Sequence, residues 1–318
     1  MNVLSLFDGM SCGQLALERA GIKVDNYYAS EIDKYAIAIT KKNYPSTIHL
    51  GSIVDVKGAD LPKIDLLIGG SPCQGFSSAG KQLNFDDERS KLFFEYIRLL
   101  KECKPKYFLL ENVVMKAEHN DVISSILGEM YPECVEQKEL FRVGRLEPHI
   151  INSNLVSAQN RKRLYWTNIP GMCQPEDKKI LLYDILETKS NEPHDDFGVD
   201  EIKFHKVKPN IQANVKKYHE QIMKSKKTTY IMPVESDYSD NQVGLTKCIT
   251  LRANNSCAYV LDRPNKTYRK ITPVECERLQ TVPDNYTNSV SDSQRYKMLG
   301  NGWTVDVIAH ILKNMEKQ

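Results

Sequence analysis

The first twenty residues decide the fold, because residues 3–20 read VLSLFDGMSCGQLALERA. The apolar run from Val3 to Phe7 predicts a strand, and the spacing from Gln14 to Ala20 predicts a helix that stops at Gly21. The turn between them presents backbone N–H groups and a helix N-terminus at the carboxyl edge of a sheet. Glu31 follows at about the twenty-residue distance at which an acid binds ribose hydroxyls. These features predict a ligand that carries adenosine.

The next elements alternate apolar strands with helices, which is typical of a parallel sheet covered on both faces. Strands are predicted at Tyr27–Ser30, Ile64–Ile68, Tyr107–Leu110 and Leu164–Thr167, and helices at Asp33–Asn43 and Leu92–Cys103. The runs at Ile64–Ile68 and Tyr107–Leu110 are nearly continuously apolar, as central parallel strands tend to be. We therefore predict an α/β fold.

The composition changes after Trp166. From about Gly171 to Pro264 the chain is rich in polar residues and weakly periodic, which predicts a smaller, irregular domain. Short strand-like runs occur there at Cys248–Leu251 and Ala258–Leu261. The helical spacing of Val305–Met315 predicts a helix that packs back on the first domain. The predicted division is a first domain at 1–170, a second domain at 171–284 and a returning C-terminal segment at 285–318.

Composition excludes several classes of protein. The chain has 318 residues, of which 41% are hydrophobic and 26% charged, as in ordinary globular proteins. No stretch approaches the roughly 18 consecutive apolar residues of a membrane span, and the N-terminus does not resemble a signal peptide. We expect a cytoplasmic protein, associated with the nucleoid if its source is bacterial or phage. The eight cysteines form no CxxC pair, so we expect reduced thiols and no metal site.

Charge gives an ambiguous indication of nucleic-acid binding. The net charge of +2 is small, but eight lysines lie between Lys203 and Lys227 against the single acid Glu220. Such a run can release counterions from a phosphate backbone. A solvated face explains the same run equally well.

Reactive side chains fall beside the predicted strands. Cys73 directly follows one strand, where a polar and partly exposed setting favours a nucleophilic thiolate. Glu111 ends the neighbouring strand, so an acid is expected beside this nucleophile. Arg161 and Arg163 share one face of an extended segment, and two guanidinium groups suit a carbonyl or phosphate oxygen. Each feature alone also has a structural explanation, as a buried thiol, a helix cap or a solvated edge.

Taken in order, seven features resemble the DNA cytosine C5-methyltransferases of bacteria and phages. They are FDGMSCG at 7–13, Glu31, PCQGFSSAGKQ at 72–82, ENV at 111–113, QNRKR at 159–163, RKITPVECERLQ at 269–280 and GNGW at 300–303. The resemblance covers residues 1–170 and 266–318, and the region between corresponds to the variable target-recognition domain of that family. So many ordered motifs arise by chance far less readily than any one of them.

The resemblance implies a Rossmann-like class I S-adenosylmethionine-dependent sheet and DNA (cytosine-5-)-methyltransferase activity. It makes Cys73 the nucleophile that adds to C6 of a flipped cytosine, Glu111 the contact to N3, and Arg163, helped by Arg161, the contact to O2. Contacts to the cofactor are implied at Phe7, Asp8, Gly9, Met10, Ser11, Cys12, Glu31, Ile32, Ser52, Ile53, Pro72, Leu92, Asn301 and Trp303. The loop Gln74–Arg89 resembles the segment that closes over flipped DNA.

The implied partner is double-stranded DNA, methylated at a specific short sequence, with S-adenosylhomocysteine as the second product. We expect a monomer without a membrane contact, and a role in DNA methylation such as restriction-modification. The recognition sequence itself follows from no pattern, because the segment that reads it is the least patterned part of the chain.

Some positions depart from the pattern of that family. Ser11 and Cys12 replace glycines that are usual in bacterial members, and with Trp303 they resemble the animal de novo DNA methyltransferases. Ser52 stands where an aspartate commonly reads the adenine amino group. Adenine recognition is therefore expected to depend on Ser52, on backbone groups or on Asp55.

Three other functions are weighed against this one. A tRNA cytosine methyltransferase on the same scaffold is the nearest alternative. A catalytically idle DNA-binding relative needs none of Cys73, Glu111 and Arg163. A nicotinamide oxidoreductase is disfavoured, because the GxGxxG spacing is absent.

Overall fold

A computed structural model describes residues 1–71, 88–135, 144–187, 201–205, 209, 212–213, 229–232, 259–262 and 266–316. The chain divides into two compact units. The first unit is Met1–Asn152, Lys162–Pro175 and Val305–Gln318, and the second is Ser153–Arg161 and Glu176–Thr304. The predicted strand at Cys248–Leu251 lies outside the described residues.

The first unit is built on a sheet of seven described strands. They are β1 (Asn2–Leu6), β2 (Asn26–Ser30), β3 (Ile48–Gly51), β4 (Leu66–Gly69), β5 (Tyr107–Val113), β6 (His149–Asn152) and β7 (Lys162–Thr167). Their order in the sheet is β3-β2-β1-β4-β5-β7-β6. Strand β7 is antiparallel to both of its neighbours, whereas the pairs from β3 to β5 are parallel. The sheet is therefore mostly parallel, as predicted, with one reversed strand near its edge.

The centre of this sheet is apolar, as in parallel sheets that are buried on both faces. All four residues of β4 are buried, as are the first six of β5. One face packs on a core around Trp166, Phe108 and Tyr96, each of which is fully buried. Burial of side chains of this size contributes about 1.5 to 3 kcal/mol each. A rigid central sheet results, and it fixes the residues at its carboxyl edge.

Eight α-helices are described along the chain. They are α1 (Cys12–Ala20), α2 (Lys34–Asn43), α3 (Glu88–Cys103), α4 (Ala117–Met130), α5 (Leu182–Ile185), α6 (Pro273–Leu279), α7 (Asp292–Asn301) and α8 (Val305–Leu312). Helix α8 packs against α1 in the first unit, and Arg19 on α1 forms an ion pair of 2.6 Å with Asp306. No described helix is long and apolar enough to cross a membrane.

The second unit contains a four-stranded sheet and helices α5 to α7. Its described strands are β8 (Lys203–His205), β9 (Thr229–Met232), β10 (Tyr259–Asp262) and β11 (Thr267–Lys270), in the order β8-β11-β10-β9. Helix α6 begins with a capping box, in which Thr272 and Glu275 each accept from the other's backbone N–H. The same Glu275 is fully buried and binds Arg269 through both of its oxygens.

A second buried carboxylate, Glu277, joins α6 to the chain that follows it. Its oxygens accept from the backbone N–H groups of Asn285 and Thr287, at 2.7 and 2.8 Å, and from Arg295 at 3.1 Å. The Glu277 side chain has no exposed surface. Both of its oxygens therefore replace water with donors of the protein, as a buried charge requires.

Replacement of Glu277 by glutamine is expected to lower the free energy of unfolding by about 3 to 5 kcal/mol. The amide removes the charge that compensates Arg295 and turns one oxygen into a donor that faces other donors. Urea unfolding measures the change. Asp284→Asn, which breaks the exposed pair with Arg278, is the control and should cost no more than about 1 kcal/mol. Equal effects of the two substitutions would contradict this interpretation.

Candidate active site

The turn after β1 has an unusual backbone. Phe7 and Ser11 have positive φ angles of 57° and 61°, and Gly9 has a φ angle of 59°. Side chains other than glycine rarely adopt this left-handed region, so the surrounding structure must hold them there. The turn leads directly into α1, whose N-cap is Ser11. The predicted cofactor turn therefore has a defined backbone conformation in the protein without a ligand.

A buried hydrogen-bond network holds this turn. The carboxylate of Asp8 accepts from the Tyr27 hydroxyl at 2.7 Å and from the Ser11 hydroxyl at 2.5 Å. The Gln14 amide donates to the Ser11 hydroxyl at 3.1 Å and to the Thr47 hydroxyl at 2.7 Å. All five side chains are buried. The network ties the turn to α1, to β2 and to the chain before β3, and the sequence did not predict it.

Burial raises the pKa of Asp8 to about 6, and its hydrogen bonds with Ser11 and Tyr27 offset only part of this rise. The pKa of Asp8 in the folded protein lies above the ordinary value of 3.8 for an aspartate. The contribution of Asp8 to stability is therefore fully present below pH 3.8, where the group is protonated, and is lost as the pH rises through about 6. The free energy of unfolding of the wild type, compared with that of Asp8→Asn, is expected to fall by on the order of 3 kcal/mol as the pH rises from below the ordinary pKa to above the raised one.

Urea unfolding of both proteins from about pH 4 to about pH 7.5 measures this difference. Glu102→Gln is the control of opposite sign, since the Gly58 N–H and Arg98 hold the pKa of Glu102 below its ordinary value. Relative to that variant the wild type should gain stability as pH rises. A pH-independent difference between wild type and Asp8→Asn would contradict the raised pKa.

Glu31 lies beside this turn, at the end of β2. One oxygen of its carboxylate accepts from the Gly9 N–H, and the other from the N–H groups of Ile32 and Asp33, all at 2.8 Å. The Ile32 side chain is 75% exposed next to it. An acid and an exposed apolar side chain thus lie together at the carboxyl edge of the sheet.

The other predicted cofactor residues of the first unit divide by exposure. The side chains of Met10, Cys12 and Ile53 are almost fully buried, so direct contact with a ligand would fall to their backbone. Ser52 and Leu92 are half-buried, and Ser52 follows β3 at the same edge of the sheet as Glu31. Pro72, also a predicted contact, lies outside the described residues, as do Cys73 and positions 74–87 of the predicted loop.

Glu111 and Arg163 meet near the end of β5. Arg163 pairs with Val113 in the antiparallel register of β5 and β7, which makes it a diagonal neighbour of Glu111 on one face. The Arg163 Nε lies 3.0 Å from a Glu111 oxygen, and their side chains are 13% and 11% exposed. The sequence analysis predicted both residues at the site but not their contact. The contact arises because β7 runs antiparallel to β5.

The neighbouring Asn112 joins β5 to β4. Its side chain is buried and donates to the Ser71 hydroxyl at 3.2 Å, while its carbonyl oxygen accepts from the Val113 N–H. Ser71 is the last described residue before position 73. Ser71, which follows β4, is therefore bound to β5, the strand that carries Glu111.

Arg161 has a separate set of contacts within the second unit. Its side chain is 3% exposed, and Nη2 donates to the carbonyl oxygens of Gly300 and Gly302 at 3.2 and 2.9 Å. Gln280 donates to the same Gly302 oxygen. These bonds fix the backbone around Asn301, which is exposed, and before Trp303, which is half-buried. The predicted assistance of Arg161 to Arg163 remains a prediction.

The sheet order, with β7 reversed and a cofactor-type turn after β1, defines a class I S-adenosylmethionine-dependent methyltransferase. The chain belongs to the C-5 cytosine-specific DNA methylase family, whose sequence model matches residues 1–317. This membership confirms the predicted family and enzyme class, and implies use of S-adenosylmethionine and a DNA substrate.

Similar proteins agree with this membership. The Type II methyltransferase M1.ScrFI of Lactococcus lactis subsp. cremoris is 31% identical over 98% of this chain and 77% of its own length. The Type II methyltransferase M.NlaX of Neisseria lactamica is 30% identical over 99% of this chain and 96% of its own. These names support the predicted link to restriction-modification.

Solved structures share the fold. The Entamoeba histolytica methyltransferase EhMeth superposes with a TM-score of 0.63 at 18% identity, over 100% of this chain and 98% of its own. A Spodoptera frugiperda DNMT2 variant superposes with a TM-score of 0.58 at 19% identity, over 99% of each chain. They confirm the predicted fold class.

Proposed function

We propose that the protein transfers a methyl group from S-adenosylmethionine to C5 of cytosine in double-stranded DNA, at a specific short sequence. Cys73 forms a transient bond to C6 of a flipped base. The observation that carries this proposal is the contact between Glu111 and Arg163. Glu111 lies on β5, which is the neighbour of β4, the strand that leads to Cys73, and Arg163 lies on β7, on the other side of β5. An acid and a guanidinium group suit a pyrimidine ring that gains negative charge when a thiolate adds to it.

The residues at the turn fit the cofactor. An ionised carboxylate has about four acceptor sites, and described N–H groups use three of those on Glu31, which leaves capacity for a ribose hydroxyl. The exposed Ile32 side chain offers an apolar surface to a purine ring. When bound, S-adenosylmethionine supplies a methyl group on a positively charged sulfur. Glu31 and the backbone from Phe7 to Cys12 would hold this donor.

Cys73 makes the ring reactive. C5 of cytosine is a poor nucleophile, but a thiolate that bonds to C6 pushes electron density to C5, which then attacks the methyl group. The methyl group's bond to the sulfonium sulfur would break as its bond to C5 forms, which leaves S-adenosylhomocysteine. Loss of the C5 proton to solvent and departure of the Cys73 sulfur as a thiolate then restore the aromatic ring. Inside a duplex C6 is stacked, so the base must first be extruded, at a cost of a few kcal/mol.

Glu111 and Arg163 stabilise the charged ring. Glu111 hydrogen-bonds or donates a proton to N3, and Arg163 approaches O2. In the structure these two groups contact each other, so each orients the other. The second unit would then bind phosphates and read base edges in the major groove. Of the lysine run from 203 to 227 only Lys203 lies within the described residues.

Methyl transfer from labelled S-adenosylmethionine to duplex DNA, compared with transfer to tRNA, tests the proposal. We expect labelled DNA, with bisulfite mapping that places the methyl groups at cytosines within one short sequence. Duplex DNA in which 5-methylcytosine replaces every cytosine is the matched control and should accept no label. Label on tRNA alone would replace this function by the RNA-directed alternative.

A further inference from the structure

The segment after β3 lies where an adenine ring would project. Gly51 pairs with Ser30 at the end of β2, and the Ser30 hydroxyl donates to the Gly51 carbonyl oxygen at 2.9 Å. The turn after β1 is on one side of Glu31 and β3 is on the other. A ligand with its charged end at that turn and its ribose at Glu31 therefore points its base toward residues 51–56.

Arg98 on α3 holds the backbone of this segment. Its Nη2 donates to the carbonyl oxygens of Ile53 and Val56, at 3.1 and 2.9 Å. The segment includes the short 3-10 helix Ile53–Asp55, which by itself has weak hydrogen-bond geometry. Two charge-assisted bonds from one guanidinium group fix both ends of this helix against α3.

Arg98 is itself held by two acids on its own helix. Its Nε and Nη2 donate to Glu95 at 2.8 and 2.6 Å, and Nη1 donates to Glu102 at 2.9 and 3.0 Å. Glu102 also accepts from the Gly58 N–H at 2.7 Å. The guanidinium plane is thus locked between two carboxylates, and the chain beyond the 3-10 helix is bound to the same cluster.

We propose that Arg98 is a positioning residue for adenine recognition. This inference rests on the proposed function. A carboxylate at position 52 could read an adenine amino group through a flexible side chain, but Ser52 is short. Recognition then falls to the Ser52 hydroxyl, to Asp55 or to backbone groups of residues 52–54, all of which act only when the backbone of this segment is in place. Arg98 supplies this placement from α3 through its bonds to the carbonyl oxygens of Ile53 and Val56.

Two ligands test the proposal by equilibrium binding. One is S-adenosylhomocysteine, and the other is S-inosylhomocysteine, which carries a keto group in place of the adenine amino group. We expect Arg98→Met to weaken binding of S-adenosylhomocysteine by about tenfold to thirtyfold and to bind the inosyl analogue nearly as wild type does. The preference for adenine over hypoxanthine therefore narrows. KM for S-adenosylmethionine should rise in parallel, with kcat within about twofold.

Arg19→Met is the matched control. Arg19 also lies on a helix of the first unit in an ion pair, and its side chain is 32% exposed against 30% for Arg98. Its loss should leave the adenine preference unchanged. Arg98→Lys should retain part of the preference, because an ammonium group can reach one carbonyl but cannot make all the bonds of the fork. If Arg98→Met does not fold, Arg98→Lys and Glu102→Gln are the variants to compare.

The outcomes separate this inference from the function on which it rests. Wild type that does not bind S-adenosylhomocysteine would refute the cofactor assignment and this inference together. Wild type with an adenine preference that survives in Arg98→Met, or a variant that loses both ligands equally, would overturn the role of Arg98 alone.

Discussion

Replacement of Cys73 by serine is expected to lower methyl transfer by on the order of 10⁴-fold or more. A hydroxyl group is almost never ionised near neutral pH, so it cannot add to C6 as a thiolate does. Duplex DNA that contains 5-fluorocytosine gives a direct measurement. The fluorine at C5 cannot leave as a proton does, so the wild type should remain covalently bound to DNA in the presence of S-adenosylmethionine.

Denaturing electrophoresis detects this adduct, and Cys73→Ser should form none. Cys173→Ser is the control, because Cys173 is an exposed thiol that lies on neither β4 nor β5. It should trap DNA as wild type does. An adduct that persists in Cys73→Ser would remove Cys73 from the nucleophilic role.

Replacement of Glu111 by glutamine is expected to lower kcat by about 10²-fold to 10⁴-fold, with DNA affinity retained. Glutamine keeps the shape and can donate a hydrogen bond to N3, but it cannot transfer a proton. It also removes the charge that orients Arg163 across the 3.0 Å contact. Single-turnover kinetics on duplex DNA separate this loss from binding.

Glu129→Gln, at an exposed position of α4, is the control for the loss of one negative charge. It should leave turnover and DNA affinity unchanged at the same salt concentration. If Glu111→Gln turned over like wild type, the assignment of Glu111 to N3 would be wrong. If the Glu111→Gln variant lost DNA affinity instead, the role of Glu111 would be in binding the substrate rather than in the chemical step.

Sequence patterns predicted the strands that are buried and missed those that are not. The apolar runs at Tyr107–Leu110 and Ile64–Ile68 correspond to β5 and β4, with shifts of a few residues at their ends. By contrast β3 and β6 lie at the two edges of the sheet, and several of their side chains are exposed. Edge strands carry little apolar periodicity, so a sequence pattern does not reveal them.

The position of the turn after β1 was predictable, but the way it is held was not. A strand followed by glycines and a helix gives a local signal, whereas the bonds from Tyr27 and Gln14 join parts of the chain that only the fold brings together. Arg98 is a similar case, because its carbonyl acceptors lie more than forty residues away. From the sequence alone, Arg98 is indistinguishable from an arginine on the solvated face of a helix.

The pairing of α8 with α1 also bears on biosynthesis. Helix α8 buries most of its side chains in the first unit, yet the ribosome makes it only after the long stretch Glu176–Thr304. At about 5 to 20 residues per second, that stretch takes on the order of ten seconds to translate. A nascent chain therefore carries an α1 whose partner helix has not yet been synthesised, and we expect it to engage chaperones during that interval.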